Sequence, residues 1–217
     1  MDFRKQGLDI LAITDHNASE NVAAFQRAAL GTGLTIIPGM EIQTREEVHV
    51  VCLFDTLEQI EIWQRRVNAS LPGLKNRPEY FGEQLRVSAE GEILGRDERL
   101  LLTSVSLNLQ EVVHQVQALD GLTIPAHVDR RAFGLLGALG MVPEDLLLEA
   151  LEVSRHLTCE AAIERYPSLR GFPLLRSGDA HRLSEMTTLT SFYMAAPTVT
   201  EMRLALQGLD GREIFVR

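Results

Sequence analysis

The sequence has little of several features that mark particular classes of protein. Its two cysteines, Cys52 and Cys159, lie far apart in mainly apolar surroundings, which favours reduced thiols over a disulfide framework. No apolar run approaches the roughly 20 residues that a membrane-spanning helix needs, and the first residues lack the apolar stretch of a signal peptide. We therefore expect a cytoplasmic protein without membrane contact.

Positive charge is also scarce, since 21 Lys and Arg residues stand against 30 Asp and Glu residues and give a net charge of −9. Surfaces that bind extended nucleic acid are normally basic, so we expect no long duplex nucleic acid as a partner. A short oligonucleotide end or a small phosphate ester is compatible with this charge. The 217 residues, of which 45% are hydrophobic and 24% charged, predict a single globular domain over residues 1–217.

Short apolar runs alternate with stretches of helical periodicity along most of the chain. This alternation predicts an α/β fold with parallel strands, and about seven strands favour a barrel over an open sheet. Strands are predicted over residues 8–14, 34–38, 48–54, 122–126, 151–153, 173–177 and 190–194. Periodicity and capping residues predict helices over residues 20–30, with Ser19 as the cap, over 57–68, 108–119 and 159–165, from Pro143, and after Thr198.

The alternation is interrupted at about residues 70–105. This segment carries Pro and Gly punctuation and one possible hairpin, which turns at Glu90–Gly91. Its apolar content is too small for a core of its own. We therefore interpret it as an insertion after the third βα unit of the barrel.

Histidines and carboxylates follow the ends of several predicted strands, and the third predicted strand carries His49. Because parallel strands present their carboxyl ends at one face of a barrel, these side chains should converge there. Burying so many polar groups costs several kcal/mol unless something pairs them, and a metal cluster would do so. The ligand types suit Zn²⁺, Mn²⁺ or Fe²⁺. The residues concerned are Asp15, His16, Glu41, His49, His127, Asp179 and His181.

The motifs around these residues, in their order along the chain, resemble those of the PHP (polymerase and histidinol phosphatase) family. The matching segments are Thr14-Asp15-His16-Asn17, Pro38-Gly39-Met40-Glu41, Val48-His49-Val50, Pro125-Ala126-His127 and Ser177-Gly178-Asp179-Ala180-His181. The resemblance implies a distorted TIM-like (β/α)7 barrel with a phosphoesterase site of two or three divalent metal ions.

The resemblance also implies a role for each of these residues. Glu41, His49 and His127 would form one metal site, and Glu41 would bridge to a second that includes Asp179. His16 and His181 would belong to a third site. Asp15 would orient a ligand, bind metal directly or carry a proton, and His181 is a second candidate catalytic residue.

One part of the family's pattern, a first strand that carries His-x-His, has no counterpart in this sequence. Residues 8–14 correspond to the family's second strand and residues 1–6 to the end of the preceding helix, so we expect a barrel without its first strand. Either the start lies too far downstream or the chain is trimmed, or the chain exists in this form. In the last case, exposed barrel edges favour a homo-oligomer, and one metal ion should bind better than the others.

Arg130 and Arg131 follow His127 on the same predicted loop, and a guanidinium can hold phosphate oxygens in a bidentate manner. A solvated loop is the competing interpretation. Three functional hypotheses follow. The first is a metal-dependent phosphoesterase acting on a nucleoside bisphosphate, a short oligonucleotide end or a similar small phosphate ester. The second is a non-catalytic metal-binding or regulatory relic, and the third is hydrolysis of a C–N bond.

Overall fold

A computed structural model describes residues 7–217 of the protein. Its ten strands are β1 (Ile10–Ile13), β2 (Thr35–Gln43), β3 (His49–Leu53), β4 (Leu85–Val87), β5 (Ile93–Arg96), β6 (Leu122–Pro125), β7 (Leu151–Val153), β8 (Leu174–Arg176), β9 (Thr190–Tyr193) and β10 (Glu213–Val216). Its seven α-helices are α1 (Val22–Ala28), α2 (Leu57–Ser70), α3 (Pro78–Phe81), α4 (Leu109–Gln117), α5 (Leu135–Leu139), α6 (Cys159–Arg165) and α7 (Val199–Gln207). The helix end expected over residues 1–6 lies outside the described residues.

The principal sheet has the strand order β1-β2-β3-β6. β1 and β2 are parallel, but β3 runs antiparallel to both β2 and β6. The expectation that all the barrel strands are parallel is therefore wrong for β3. The connection between β2 and β3 covers residues 44–48 alone, and so short a connection can join only antiparallel neighbours.

The remaining strands pair in twos. β7 and β8 are parallel, and the backbone of Val128 after β6 donates a hydrogen bond to the carbonyl of Glu152 on β7 at 2.8 Å. β9 and β10 are antiparallel. No closed barrel forms among residues 7–217, since β1 and β8 are not paired and a cavity of about 630 Å³ is lined by residues of both strands. The absent first strand and the homo-oligomer stay predictions.

The strands separate two apolar cores, because successive side chains point to opposite faces. Ile37, Leu53 and Ile124 face an inner core that also contains Val199 and Met202 of α7. An outer core lies between the opposite faces of the strands and helices α2, α4 and α6, with Met40, Cys52, Trp63, Val112 and Ala162 among its members. Cys52 therefore lies on the opposite face of β3 from His49, as the parity of the two positions predicts.

The helix-capping predictions are confirmed in full at one helix, in part at a second and wrong at others. Asn108 and Glu111 form the predicted capping box of α4. At α7 only half of the box predicted for Thr198 and Glu201 forms: Thr198 accepts from the backbone of Glu201, but the Glu201 carboxylate accepts from Ala195 and Arg212. Ser19 does not cap α1, since its hydroxyl donates to Gln64. The helix expected from Pro143 is absent; buried Leu146, Leu148 and Ala150 alternate there with more exposed residues, in an extended approach to β7.

The segment predicted as an insertion contains the short helix α3 and the hairpin β4–β5, whose strands correspond closely to the predicted ones. Its assignment as an insertion into a single domain stays a prediction. Within residues 7–217 no helix combines the length and the apolar character that crossing a bilayer requires.

Candidate metal centre

Glu41 lies near the end of β2, on the face that points to the inner core. The chain after β1 continues to pair with β2 there, in a parallel bridge between His16 and Glu41. The backbone of Asn17 donates to the Glu41 carbonyl at 2.9 Å, and the Glu41 backbone donates to the carbonyl of Asp15 at 3.2 Å. These bonds place the His16 and Glu41 side chains beside each other.

His49 and His127 reach the same place from two other strands. His49 is the first residue of β3, and because β3 is antiparallel, this start lies at the edge where β1, β2 and β6 end. His127 follows β6 and has a left-handed backbone with a φ of 34°. A regular continuation of β6 would turn this ring to the opposite face from Ala126, so the left-handed residue redirects it towards Glu41.

Three imidazole rings converge on the Glu41 carboxylate. His49 Nδ1 and His127 Nε2 lie 3.3 and 3.4 Å from Oε1, and His16 Nδ1 lies 3.3 Å from Oε2. Potential ligand atoms of His16, Glu41 and His49 all lie within 4.8 Å of one another. Glu41 and His49 are each 7% exposed and His127 is 2% exposed, so these three side chains are almost closed to solvent.

The electrostatics of the cluster keep Glu41 ionised. Burial raises the pKa of the Glu41 carboxyl, but hydrogen bonds from His127 and His49 outweigh it and hold the pKa well below its ordinary value. Burial lowers the pKa of His16, against the attraction of Glu41. The cluster therefore presents an ionised carboxylate next to an imidazole whose proton affinity is reduced, and both features favour binding of a cation.

The residues present fit a metal ion. His49 Nε2 and His127 Nδ1 are buried and have no hydrogen-bond partner among the described residues. These two atoms are the ring nitrogens that do not contact Glu41, so the fit rests on the donors that converge on the carboxylate. Nitrogen and carboxylate donors without thiolate suit Zn²⁺, Mn²⁺ or Fe²⁺.

Asp179 and His181 lie on the neighbouring side of the cluster. The His181 and His16 ring centroids are 6.4 Å apart, and His181 Nδ1 lies 3.1 Å from the carbonyl oxygen of Asp179. The carboxylate of Asp179 forms an ion pair with Arg130, with Nη2 and Oδ2 2.5 Å apart. Asp179 therefore faces a guanidinium instead of the Glu41 carboxylate, and its role as a metal ligand stays a prediction.

A cavity of about 800 Å³ opens beside the cluster. Asp15, His16, Glu41, Asp179 and His181 line part of it. The rest of the lining mixes apolar and charged side chains, among them Leu11, Phe25, Leu34, Leu85, Glu20, Glu83, Arg86 and Asp97. The Asp15 carboxylate accepts a hydrogen bond from the side chain of Asn21 at 3.0 Å. Arg131 is exposed on the loop that carries Arg130.

Three further residues support the cluster, and the sequence-based argument did not single them out. The buried Asn17 side chain donates to the carbonyls of Leu101 and Thr103, at 2.7 and 2.8 Å, and holds that loop against the site. Glu152 on β7 accepts hydrogen bonds from the backbone of His127 and from the hydroxyl of Ser177. Burial raises its pKa to about 7, against the hydrogen bond from Ser177.

The third of these residues is Phe133, whose ring stacks on His49 with centroids 4.6 Å apart and an interplanar angle of 14°. Strand-end reasoning misses both Phe133 and Glu152, because Phe133 lies in mid-loop and Glu152 in the middle of a strand. The one available indication for Glu152 is a carboxylate inside the apolar run Leu151-Glu152-Val153.

No protein-family model matches the sequence, and no curated protein matches it. Solved structures do match it. The lesion-specific endonuclease PfuEndoQ from Pyrococcus furiosus superposes on 96% of this chain with a TM-score of 0.68 and 19% sequence identity. Endonuclease Q in complex with a 27-mer duplex substrate, with an abasic lesion at the active site, covers 96% with a TM-score of 0.65 and 18% identity. The present chain spans 50% of each of those chains.

The complex corrects one expectation from the sequence. We expected no long duplex nucleic acid as a partner for such a protein, and that exclusion is wrong, because a protein with this fold holds a 27-mer duplex. The argument failed because net charge averages over the whole surface, whereas a duplex contacts only one face of a protein.

A third structure, a proposed metal-dependent phosphoesterase from Bifidobacterium adolescentis, matches 82% of this chain and 79% of its own with a TM-score of 0.53 and 17% identity. The neighbours are thus an endonuclease and a phosphoesterase, two kinds of hydrolase that act on phosphoester bonds. At these identities the likeness is one of fold alone, and the chain shares its fold with these structures.

Proposed function

We propose that the protein is a metal-dependent phosphoesterase of the PHP type that hydrolyses nucleotide-type phosphate esters. One observation carries the proposal, which is the convergence of three imidazoles on a single buried carboxylate at the mouth of this fold. The fold likeness to an endonuclease and to a proposed metal-dependent phosphoesterase supports the same reaction class. The proposed substrates are nucleoside bisphosphates and oligonucleotide ends.

One to three divalent ions, Zn²⁺, Mn²⁺ or Fe²⁺, would be the cofactors. Glu41, His49 and His127 would hold one ion, with Glu41 shared with a second site that includes Asp179, and with His16 and His181 at a third. When bound, such ions supply a hydroxide nucleophile near neutral pH and stabilise charge on the phosphoryl oxygens. The nitrogen and carboxylate donors that converge at Glu41 support this assignment.

The protein's own residues would bind the phosphate and move protons. Arg130, whose guanidinium forms an ion pair with Asp179, would pair with phosphoryl oxygens, and Arg131 on the same loop is a second candidate. His181 donates through Nδ1 to the carbonyl of Asp179, which leaves Nε2 available for a metal ion or for a proton passed to the leaving group. Asp15 at the cavity wall is the alternative proton carrier.

The cavity beside the cluster supports a substrate of nucleotide size. Its volume of about 800 Å³ falls within the 300–1,000 Å³ typical of small-molecule sites. Its lining joins polar residues of the cluster to apolar side chains such as Leu11 and Phe25, so it offers room beside the cluster for an ester that carries a phosphate and a less polar group.

Hydrolysis assays with purified protein test this proposal. We would supply Mn²⁺ or Zn²⁺ and measure turnover of a chromogenic phosphodiester, the matching monoester, a nucleoside 3′,5′-bisphosphate and a duplex with an abasic site. His127→Ala should lower kcat/KM at least 100-fold, because it removes a ligand that contacts Glu41. The matched control is His114→Ala, at an exposed position on α4, which should retain wild-type activity.

Circular dichroism of each variant would show that it remains folded. Turnover lost in His127→Ala and retained in His114→Ala is the expected result. Equal turnover in the two variants would contradict the proposed site. Metal binding without turnover of any of the four substrates would favour the second hypothesis, a metal-binding relic.

A further inference from the structure

An exposed aromatic ring adjoins the candidate metal centre. One face of Phe133 stacks on the His49 ring, yet the residue remains 42% exposed. Phenylalanine is among the residues most often buried, so an exposed ring beside a polar cluster is unusual. The stacked face supports His49, and the exposed part of Phe133 is open to solvent next to this candidate ligand.

The backbone holds Phe133 in a conformation that its side chain disfavours. Its φ is 61°, in the left-handed region, where a bulky residue is rare and strained. The His49 backbone donates to the carbonyl of Phe133 at 2.9 Å and fixes this geometry. Such strain persists only where the surroundings impose it, and it concentrates at functional sites.

The rest of the loop is packed closely enough to keep Phe133 in place. A Cβ atom at Gly134 would lie 2.3 Å from the carbonyl oxygen of Arg130, and one at Gly137 would lie 2.4 Å from that of Arg131. Arg130 is anchored by its ion pair with Asp179. Because the ring is ordered before any ligand arrives, binding to it would cost little conformational entropy.

We propose that the open face of Phe133 stacks on a nucleobase of the substrate while Arg130 pairs with its phosphate. The inference rests on the proposed function and deepens it, since it names the residue that would distinguish a nucleotide from other phosphate esters. Phe133 and Arg130 lie three residues apart on the loop that follows β6. An aromatic ring and a guanidinium are the groups that would recognise the two chemical parts of a nucleotide, the flat base and the anionic phosphate. Stacking accepts any base, so we expect little preference among the four.

The competing interpretation is that Phe133 only supports His49. Two substitutions separate the roles. Phe133→Leu keeps an apolar side chain against His49 but has no flat face on which a base could stack. Phe133→Tyr keeps the aromatic face and should restore base binding. The control is Tyr193→Leu, which removes a 68% exposed aromatic ring from β9.

The test measures binding by isothermal titration calorimetry with Mn²⁺ present. The ligands are thymidine 3′,5′-bisphosphate and the same bisphosphate with hydrogen in place of the base. The wild-type protein and the Tyr193→Leu variant should bind the base-containing ligand about 10-fold more tightly than the abasic one. Phe133→Leu should reduce this preference to less than about 2-fold, and Phe133→Tyr should retain it.

A preference that survives in Phe133→Leu would overturn the inference, and so would equal or undetectable binding of both ligands by the wild-type protein. Chromatography of the same samples reports hydrolysis separately. A Phe133-dependent preference without hydrolysis would uphold base stacking and refute the proposed function. Hydrolysis by a protein whose base preference does not depend on Phe133 would uphold the proposed function and refute base stacking.

Discussion

Replacing Glu41 by glutamine should abolish stabilisation by metal ions while leaving the protein folded. In the structure, Oε1 contacts His49 and His127 and Oε2 contacts His16. Glutamine keeps one acceptor oxygen but loses the charge. Hydrogen bonds to charged groups contribute about 1.5–3 kcal/mol and neutral ones about 0.5–1.5 kcal/mol, so we expect the metal-free variant to lose about 1–3 kcal/mol of stability.

The stabilisation by metal should differ more between the wild-type protein and the Glu41→Gln variant than their metal-free stabilities do. An ion present at about 100 times its Kd stabilises the native state by about 2.7 kcal/mol, which raises Tm by roughly 5–10 °C for a chain of this size. Loss of the carboxylate that touches three imidazoles should weaken binding at least 100-fold, judging from the 10–100-fold effects of outer partners. At the same ion concentration the variant would then gain about 0.4 kcal/mol, or about 1 °C.

Thermal denaturation followed by circular dichroism, in EDTA and in Mn²⁺ or Zn²⁺, measures both quantities. The matched control is Glu61→Gln, which neutralises an exposed carboxylate on α2 and should show the wild-type rise in Tm. If Glu41→Gln retained the full metal-dependent rise, Glu41 would not be a ligand and the proposed centre would be refuted.

Two further predictions concern stability. Burial raises the pKa of Glu152 to about 7 from an ordinary value of 4.5. The protonated carboxyl therefore contributes fully to stability below pH 4.5, and this contribution is lost as the pH rises to 7. The free energy of unfolding should fall by about 3 kcal/mol over that range. Glu152→Gln should lack this loss when urea denaturation in EDTA is compared at pH 5 and pH 8, and an identical pH dependence in both proteins would contradict it. Asn108→Ala removes the side-chain oxygen that accepts the Glu111 backbone bond in the α4 capping box and should cost about 1 kcal/mol in the same assay at pH 7. An unchanged midpoint would show that this bond contributes nothing.

The sequence determined which residues meet and roughly where. Strand ends that carry His16, Glu41 and His127 were recognisable because each follows a short apolar run, and carboxyl ends of neighbouring parallel strands share an edge. The start of helix α4 could also be predicted from the sequence, because a capping box depends only on residues three positions apart.

Tertiary structure decided the direction of β3 and the orientation of the His49 and His127 rings. His49 reaches the site because it begins an antiparallel strand, and His127 because its backbone is left-handed. Phe133 and Glu152 joined the site through contacts with residues far away in sequence. Local pattern specifies the period of burial along a strand. It does not specify the direction of a strand or the backbone conformation of a loop residue, because both depend on hydrogen bonds to distant parts of the chain.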